Sequence, residues 1–231
     1  MAAFSVVLLT ATPSMQGSEA SGAFVKIDGR ECLLRSVELF LNRDNVKQIQ
    51  LVVNPQAIEE AKRKYGSHLA FSGVKLVPGG PQWANQLAAA GEKIAPEITH
   101  VIVHDAARPI LAYSDIDAIM AEAENHPIVA LTTPLRANLV GINPAGKPVA
   151  FHTADGFMQV VTPWAYRKND FLQIATSHQE PAAHAIALLK GSPLNFRVAT
   201  AGDASLAKAM LTLLPKRKMR PADNPFDEAQ W

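Results

Sequence analysis

The chain has 231 residues, 48% of them hydrophobic and 19% charged, and 22 Lys+Arg stand against 21 Asp+Glu for a formal net charge of +1. That is enough chain for one large α/β domain or two small ones, and so even a charge balance argues against nucleic acid or an anionic membrane as the main partner. The single cysteine, Cys32, excludes an intramolecular disulfide framework and a Cys-rich metal site and fits a reducing, cytoplasmic setting.

The opening run MAAFSVVLLTA lacks a basic flank and falls well short of the ~20 residues that span a bilayer. Its core, Phe4 to Thr10, reads as a central strand covered on both faces. A polar loop to Gly22 follows, then a helix over Leu33 to Leu41 and a strand over Ile49 to Val53. This is one βαβ unit. Pro55 to Tyr65 has the composition of a surface helix, Val74 to Val77 reads as a strand, and Gln82 to Ile94 is a helix entered through Pro78-Gly79-Gly80.

His100 to Val103 is the next buried strand, followed by Asp105-Ala106-Ala107-Arg108-Pro109, a helix over Ser114 to Ala123 with Ser114 as N-cap, and a strand over Ile128 to Thr132. Between Pro134 and Thr162 the helical rhythm stops and Gly141, Pro144, Gly146 and Pro148 punctuate a hairpin-like excursion suited to contacts between subunits. The remainder reads as a helix over Ala182 to Leu189, a strand near Phe196 to Ala199, a helix over Ala204 to Leu214 and a polar tail. No repeat or long linker divides residues 1–231, so the expectation is a single domain. Its alternating elements predict a doubly wound, mostly parallel sheet with helices on both faces.

In such a sheet the binding crevice lies beyond the carboxyl ends of the strands, where the loops after Thr10, Val77, Val103 and Thr132 gather. The first of these loops, residues 11–22, contains no Lys or Arg and does contain Glu19, an unfavourable composition for holding a triphosphate. VHDAARP at 103–109 delivers His104, Asp105 and Arg108 together. Asp105 suits a hard divalent cation and Arg108 a phosphate, although Asp105 also suits pairing with Arg108 or capping the turn. Gly79-Gly80 suits a tight turn or close approach to a ligand. Trp83 suits stacking on a base or core filling, Asp203 an N-cap, and Arg197 either the surface or the site.

VHDAARP, with VPGG at 77–80, TPLRANLV at 133–140, VVTPWAY at 160–166 and NFRVATAGDASLAKAM at 195–210, makes the chain resemble the 2-C-methyl-D-erythritol 4-phosphate cytidylyltransferases over nearly its whole length. The resemblance implies a nucleotidyltransferase (Rossmann-like) fold with a small β-arm at about 134–162 that joins a homodimer. It also implies CMP transfer from CTP to a sugar-alcohol phosphate, with Mg2+, in isoprenoid precursor synthesis. By the same resemblance Asp105, Arg108 and Arg197 serve the reaction, Ala11, Gly79, Gly80, Trp83, Asp105 and Ala106 contact the nucleotide, and Asp105 and Asp203 serve the metal.

The sequence also departs from the family pattern. The Arg and the Pro-Lys pair of the family's first loop are missing, with Gly22-Ala23 at the Pro-Lys position. Arg197 replaces a Lys, Trp83 an Arg, and Gln86 a Ser that contacts the base. Ala137-Asn138 stands for an Asp-Thr pair, Val140 for a Lys and Trp164 for a Gln. Three readings stay open: an active enzyme that recruits a cation such as Lys26 or Arg136, a catalytically silent relative that binds a ligand or partner, and a nucleotidyltransferase whose substrate has changed around Trp83 and Trp164.

Overall fold

In the computed structural model, which describes residues 2–11 and 22–214, strand β1 (Phe4–Leu9) is buried along its whole length at the heart of the sheet. The remainder of the first loop and the polar tail lie outside the described residues. Alternation along β1 sorts its side chains. Phe4, Val6 and Leu8 enter one core, while Val7 and Leu9 enter another on the opposite face.

After the short pair β2 (Lys26–Ile27) and β3 (Arg30–Glu31), helix α1 (Cys32–Glu38) places Leu33 and Val37 on the first core. Strand β4 (Val46–Val53), helix α2 (Ile58–Phe71) and strand β5 (Val74–Pro78) continue the winding, with Ala61, Tyr65 and Leu69 of α2 on the same side. Helix α3 (Trp83–Gly91) covers the other face through Leu87 and Ala90. Strand β6 (His100–Asp105) leads to helix α4 (Tyr113–Glu122), which returns to the first face through Ile116, Ile119 and Met120. The expected cap at Ser114 is corrected: the helix starts at Tyr113 and its N-cap, Ala112, offers no side-chain bond.

Strand β7 (Ile128–Pro134) is followed by the excursion, where β8 (Leu139–Ile142) and β9 (Pro148–His152) form a hairpin that is exposed for most of its length. The chain returns as β10 (Met158–Arg167), which claims residues assigned to the excursion and runs antiparallel between β6 and β7. Helix α5 (Lys168–Ser177), absent from the sequence reading, packs Phe171 and Ala175 on the second core.

The helix expected over Ala182–Leu189 is corrected to a short 3-10 turn and a strand, β11 (Ile186–Lys190), which pairs in parallel with β7 from Ile186 against Ile128. Hydrogen bonding along a sheet edge outweighs the helical preference of AAHAIALLK. The strand expected at Phe196–Ala199 joins no ladder; it crosses the top of the sheet, where the Val198 N–H donates to the Ala107 carbonyl at 2.8 Å. Helix α6 (Ala201–Leu211) closes a third small core with Ile27, Cys32, Ile110 and Val198.

The seven-stranded sheet has the order β11-β7-β10-β6-β1-β4-β5, parallel except for β10, so the expected mostly parallel α/β fold is observed. Neighbouring β1 lie β4 on one side and β6 on the other, and the chain winds outward in both directions from there. The crevice sits above that switch point.

Candidate functional site

Strand β6 ends at Asp105, paired with Leu9 of β1, and the turn that follows is held by its own side chains. Asp105 is fully buried. Its Oδ1 accepts from the Ala107 N–H at 2.9 Å and its Oδ2 from Arg197 Nε at 3.0 Å, while Arg108 Nε lies 3.6 Å from Oδ2. Burial is the largest influence on the carboxyl and pushes its pKa up, against the pull of Arg197, the Ala107 N–H and Arg108. Arg108 is itself pushed down by burial and donates from Nη1 to the Asn195 carbonyl at 3.1 Å. One carboxylate thus faces two guanidinium groups. This is a closed, charge-paired cluster.

The backbone around Asp105 is equally committed. Its N–H donates to Thr162 Oγ1 at 3.1 Å, the Ala106 N–H to the Leu9 carbonyl at 2.9 Å, and Ser36 Oγ to the Ala106 carbonyl at 3.0 Å. His104 lies 3.0 Å from the Arg108 carbonyl, which can only accept, so Nε2 carries the proton and the buried Nδ1 has no hydrogen-bond partner. Gly22, where the described chain resumes, is wedged against this turn. A Cβ there would fall 1.7 Å from the Val198 carbonyl oxygen. Only glycine fits.

Asp203 stands at the third position of α6 in a capping box with Thr200, rather than at the N-cap itself. Its Oδ2 accepts from the Ala199 N–H, the Thr200 N–H and Thr200 Oγ1 at 2.9, 2.8 and 2.9 Å, and these bonds hold its pKa below the usual carboxylate range. Trp83 is part-buried against the second core, as is Trp164, which stacks on Tyr166 at 6.0 Å. At the other lip of the crevice Ala11 and Gly80 are bonded to Gln86 of α3, a residue that chain order alone did not single out as structural. Among the described residues no three His, Cys, Asp or Glu side chains gather as a metal cluster, and no helix is long and apolar enough to cross a membrane.

Residues 6–213 match the family model of 2-C-methyl-D-erythritol 4-phosphate cytidylyltransferase. The chain belongs to that family. It is 26% identical to the 2-C-methyl-D-erythritol 4-phosphate cytidylyltransferase of Frankia casuarinae, over 90% of this chain and 79% of that protein. Identity to the same-named protein of Rhodopirellula baltica is 25%, over 89% and 93%. Among solved structures, the 4-diphosphocytidyl-2C-methyl-D-erythritol synthase of Anaerococcus prevotii superposes with a TM-score of 0.74 at 15% identity, covering 91% of this chain and 96% of that one. The Thermus thermophilus cytidylyltransferase gives 0.68 at 20% identity over 89% and 98%. CMP:2-keto-3-deoxy-manno-octonic acid synthetase, solved with CTP, gives 0.66 at 15% over 92% of this chain and 99% of that one, so the fold is that of nucleotidyltransferases.

Set within this cytidylyltransferase family, the residues expected to serve the reaction, Asp105, Arg108 and Arg197, come together although 92 positions separate the outer pair. Asp203 is linked to them through the charge of Arg197. Ala11, Gly79 and Gly80 gather around Gln86 on the β1–β5 side, and Ala106 bonds across to β1. The two cations considered as replacements lie apart from the Asp105 cluster in their contacts: Lys26 pairs with Glu31 at 3.5 Å, and Arg136 is exposed beyond the end of β7.

Proposed function

We propose that this chain is a family member that does not transfer CMP from CTP to a sugar-alcohol phosphate and serves instead as a binding protein. The observation that carries the reading is the placement of charge. The loop at 12–21 supplies no Lys or Arg, and of the two arginines beside Asp105, Arg197 donates to that buried carboxylate while Arg108 lies 3.6 Å from it and donates to the Asn195 carbonyl. Phosphoryl transfer depends on cations aimed at the triphosphate, and removal of a single such donor costs about 10²–10³ in rate.

Magnesium does not fit Asp105 as it stands. Asp105 is closed from solvent with Oδ2 on Arg197, and Asp203 spends its Oδ2 on three donors of its own capping box. A hard cation that keeps most of its waters needs an open carboxylate edge.

The arm supports self-association. Ile142, Val149 and Phe151 are 67%, 65% and 66% exposed on the β8–β9 hairpin, an apolar surface that a second copy of the chain would cover. A homodimer should show a solution mass of twice 24.9 kDa, and Phe151→Glu should shift it toward that single value. Cys32, buried and unpaired, suits the cytoplasm.

The deciding experiment titrates the purified protein with CTP, with and without magnesium, and then assays pyrophosphate release with methylerythritol phosphate. The proposal expects none. Release at a rate that depends on protein concentration would overturn it and favour a second reading, in which exposed Arg136, two residues past β7, supplies the missing cation. In that case Arg136→Ala would abolish the release.

A further inference from the structure

At the end of the sheet opposite the crevice, where β4 begins, the ends of α1 and α2 leave a cavity of about 480 Å³. Phe40, Leu41, Val46, Ile49 and Phe71 give it apolar walls. Phe40 and Ile49 belong to the first core beneath it, whereas Phe71, the last residue of α2, is 94% exposed, more than any other large hydrophobic side chain among the described residues. An aromatic ring left in water beside an apolar hollow of ligand size marks a surface that something covers.

The charge at the rim narrows what that cover is. Arg43 and Lys47 are the charged lining residues. Arg43 is committed to Asp117 and the Leu39 carbonyl and lies over the Tyr113 ring at 5.8 Å. Lys47 shares its face of β4 with Ile49 and is exposed, and its ammonium group has no ion pair or hydrogen bond among the described residues. The cavity therefore suits an aromatic side chain carried next to a carboxylate. Residues 221–231, PADNPFDEAQW, hold that combination in Phe226-Asp227-Glu228, whereas residues 12–21 contain no aromatic side chain. The reach is sufficient. Leu214 packs on the third core, which contains Cys32 at the start of α1, and about 10 Å of helix leads from there to the cavity. From Leu214 to Phe226 the chain extends up to about 40 Å.

We propose that residues 221–231 dock on their own chain at this cavity, with Phe226 seated against Phe71 and the Asp227-Glu228 pair facing Lys47. Burying two aromatic rings supplies the attraction and the ion pair sets the direction of the segment. The surface lies away from the crevice, so this docking is independent of whether the chain transfers CMP.

The test compares the full chain with one ending at Arg220, which keeps α6, and uses the free peptide 221–231 as the probe. The shortened chain is expected to bind the peptide at least about tenfold more tightly than the full chain, whose own segment competes for the cavity, and to melt at a higher temperature when the peptide is added. Amide resonances of Lys47, Phe71 and Gly73 should differ between the two chains and return to their full-chain positions with the peptide. Phe71→Ser in the shortened chain or Phe226→Ala in the peptide should weaken binding at least about tenfold, and Lys47→Glu severalfold. Equal or absent peptide binding in the two chains, or binding indifferent to Phe71→Ser, overturns the proposal. A solution mass that falls with Phe71→Ser and not with the truncation also overturns it, because the cover would then be a second copy of the chain. If the shortened chain does not fold, Phe226→Ala in the full chain decides: the same three resonances should shift, and their remaining in place overturns the proposal.

Discussion

His104 makes the turn after β6 sensitive to acid. Its ring is fully buried, edge-on to Phe40 at 5.5 Å, with Nε2–H on the Arg108 carbonyl and no partner at Nδ1. Burial pushes its pKa down to about 3 from 6.5, and the nearby Arg108 charge adds to the effect. An unfolded chain takes up this proton near pH 6.5 while the folded chain refuses it until about pH 3, so unfolding binds one proton across that window and stability falls as pH falls. The gap of about 3.5 units corresponds to about 5 kcal/mol at about 1.4 kcal/mol per unit. Urea unfolding at a series of pH values measures it, with His104→Gln as the control that keeps a donor for Arg108 and takes no proton. The variant begins less stable at neutral pH, and its deficit should close by about 1.4 kcal/mol per unit between about pH 6 and pH 4. Parallel curves for the two chains, or a His104 ring resonance that titrates above about pH 5, would refute the reasoning.

Three further outcomes test the same region. Asp105→Asn removes the buried carboxylate that faces the part-buried Arg197 and Arg108 guanidinium groups and should cost about 3 kcal/mol in chemical denaturation, part of it recovered when Arg197→Met is added; a cost below about 1 kcal/mol would show that the cluster opens to water. Gly22→Ala drives a methyl group into the Val198 carbonyl and should lower stability by at least about 2 kcal/mol, or about 4–8 °C in melting temperature; unchanged melting would mean that this approach is looser than described. Asp203→Asn weakens the start of α6 at neutral pH, and because the native carboxyl is held below 3.8 by its three bonds, its contribution is present above that value and disappears as pH falls through the lowered pKa. Amide exchange at Ala199 and Thr200 should therefore quicken in the variant at pH 7 and match wild type in strong acid.

The central parallel strands were readable because they are buried on both faces and so carry apolar runs, as in Phe4–Leu9 and Val101–Val103. What pattern reading missed are the elements whose identity depends on a partner distant in sequence. Ile186–Lys190 has the Ala and Leu content of a helix and becomes a strand because β7 offers it an open edge. Met158–Arg167 joins exposed residues at its start to buried ones near its end, and only the gap between β6 and β7 makes it one strand. The same division runs through the site. Asp105 and Arg108 share one turn and were legible together, and the resemblance added Arg197 to them. Gln86 meets Thr10 and Ala11 across 76 and 75 positions, and no local pattern marks a glutamine in an Ala-rich helix as the partner of a strand end.

The string VHDAARP, the strongest mark of the family, is a weaker mark of its chemistry than its specificity suggests. Each residue from His104 to Arg108 has a structural task that requires no substrate. His104 ties the turn to the Arg108 carbonyl, Asp105 caps the Ala107 N–H, Ala106 bonds to β1 and to Ser36, Ala107 receives the Val198 N–H, and Arg108 fastens the Asn195 segment. Exchanging His104, Asp105 or Arg108 would loosen the junction where β1, β6 and residues 195–198 meet. The loop at 12–21, by contrast, carries no Lys or Arg. A chain released from catalysis would lose the groups that only the reaction needs and keep those on which the fold also depends. The proposed reading expects that distribution, with the turn at 104–108 kept for the fold and no cation in the loop at 12–21.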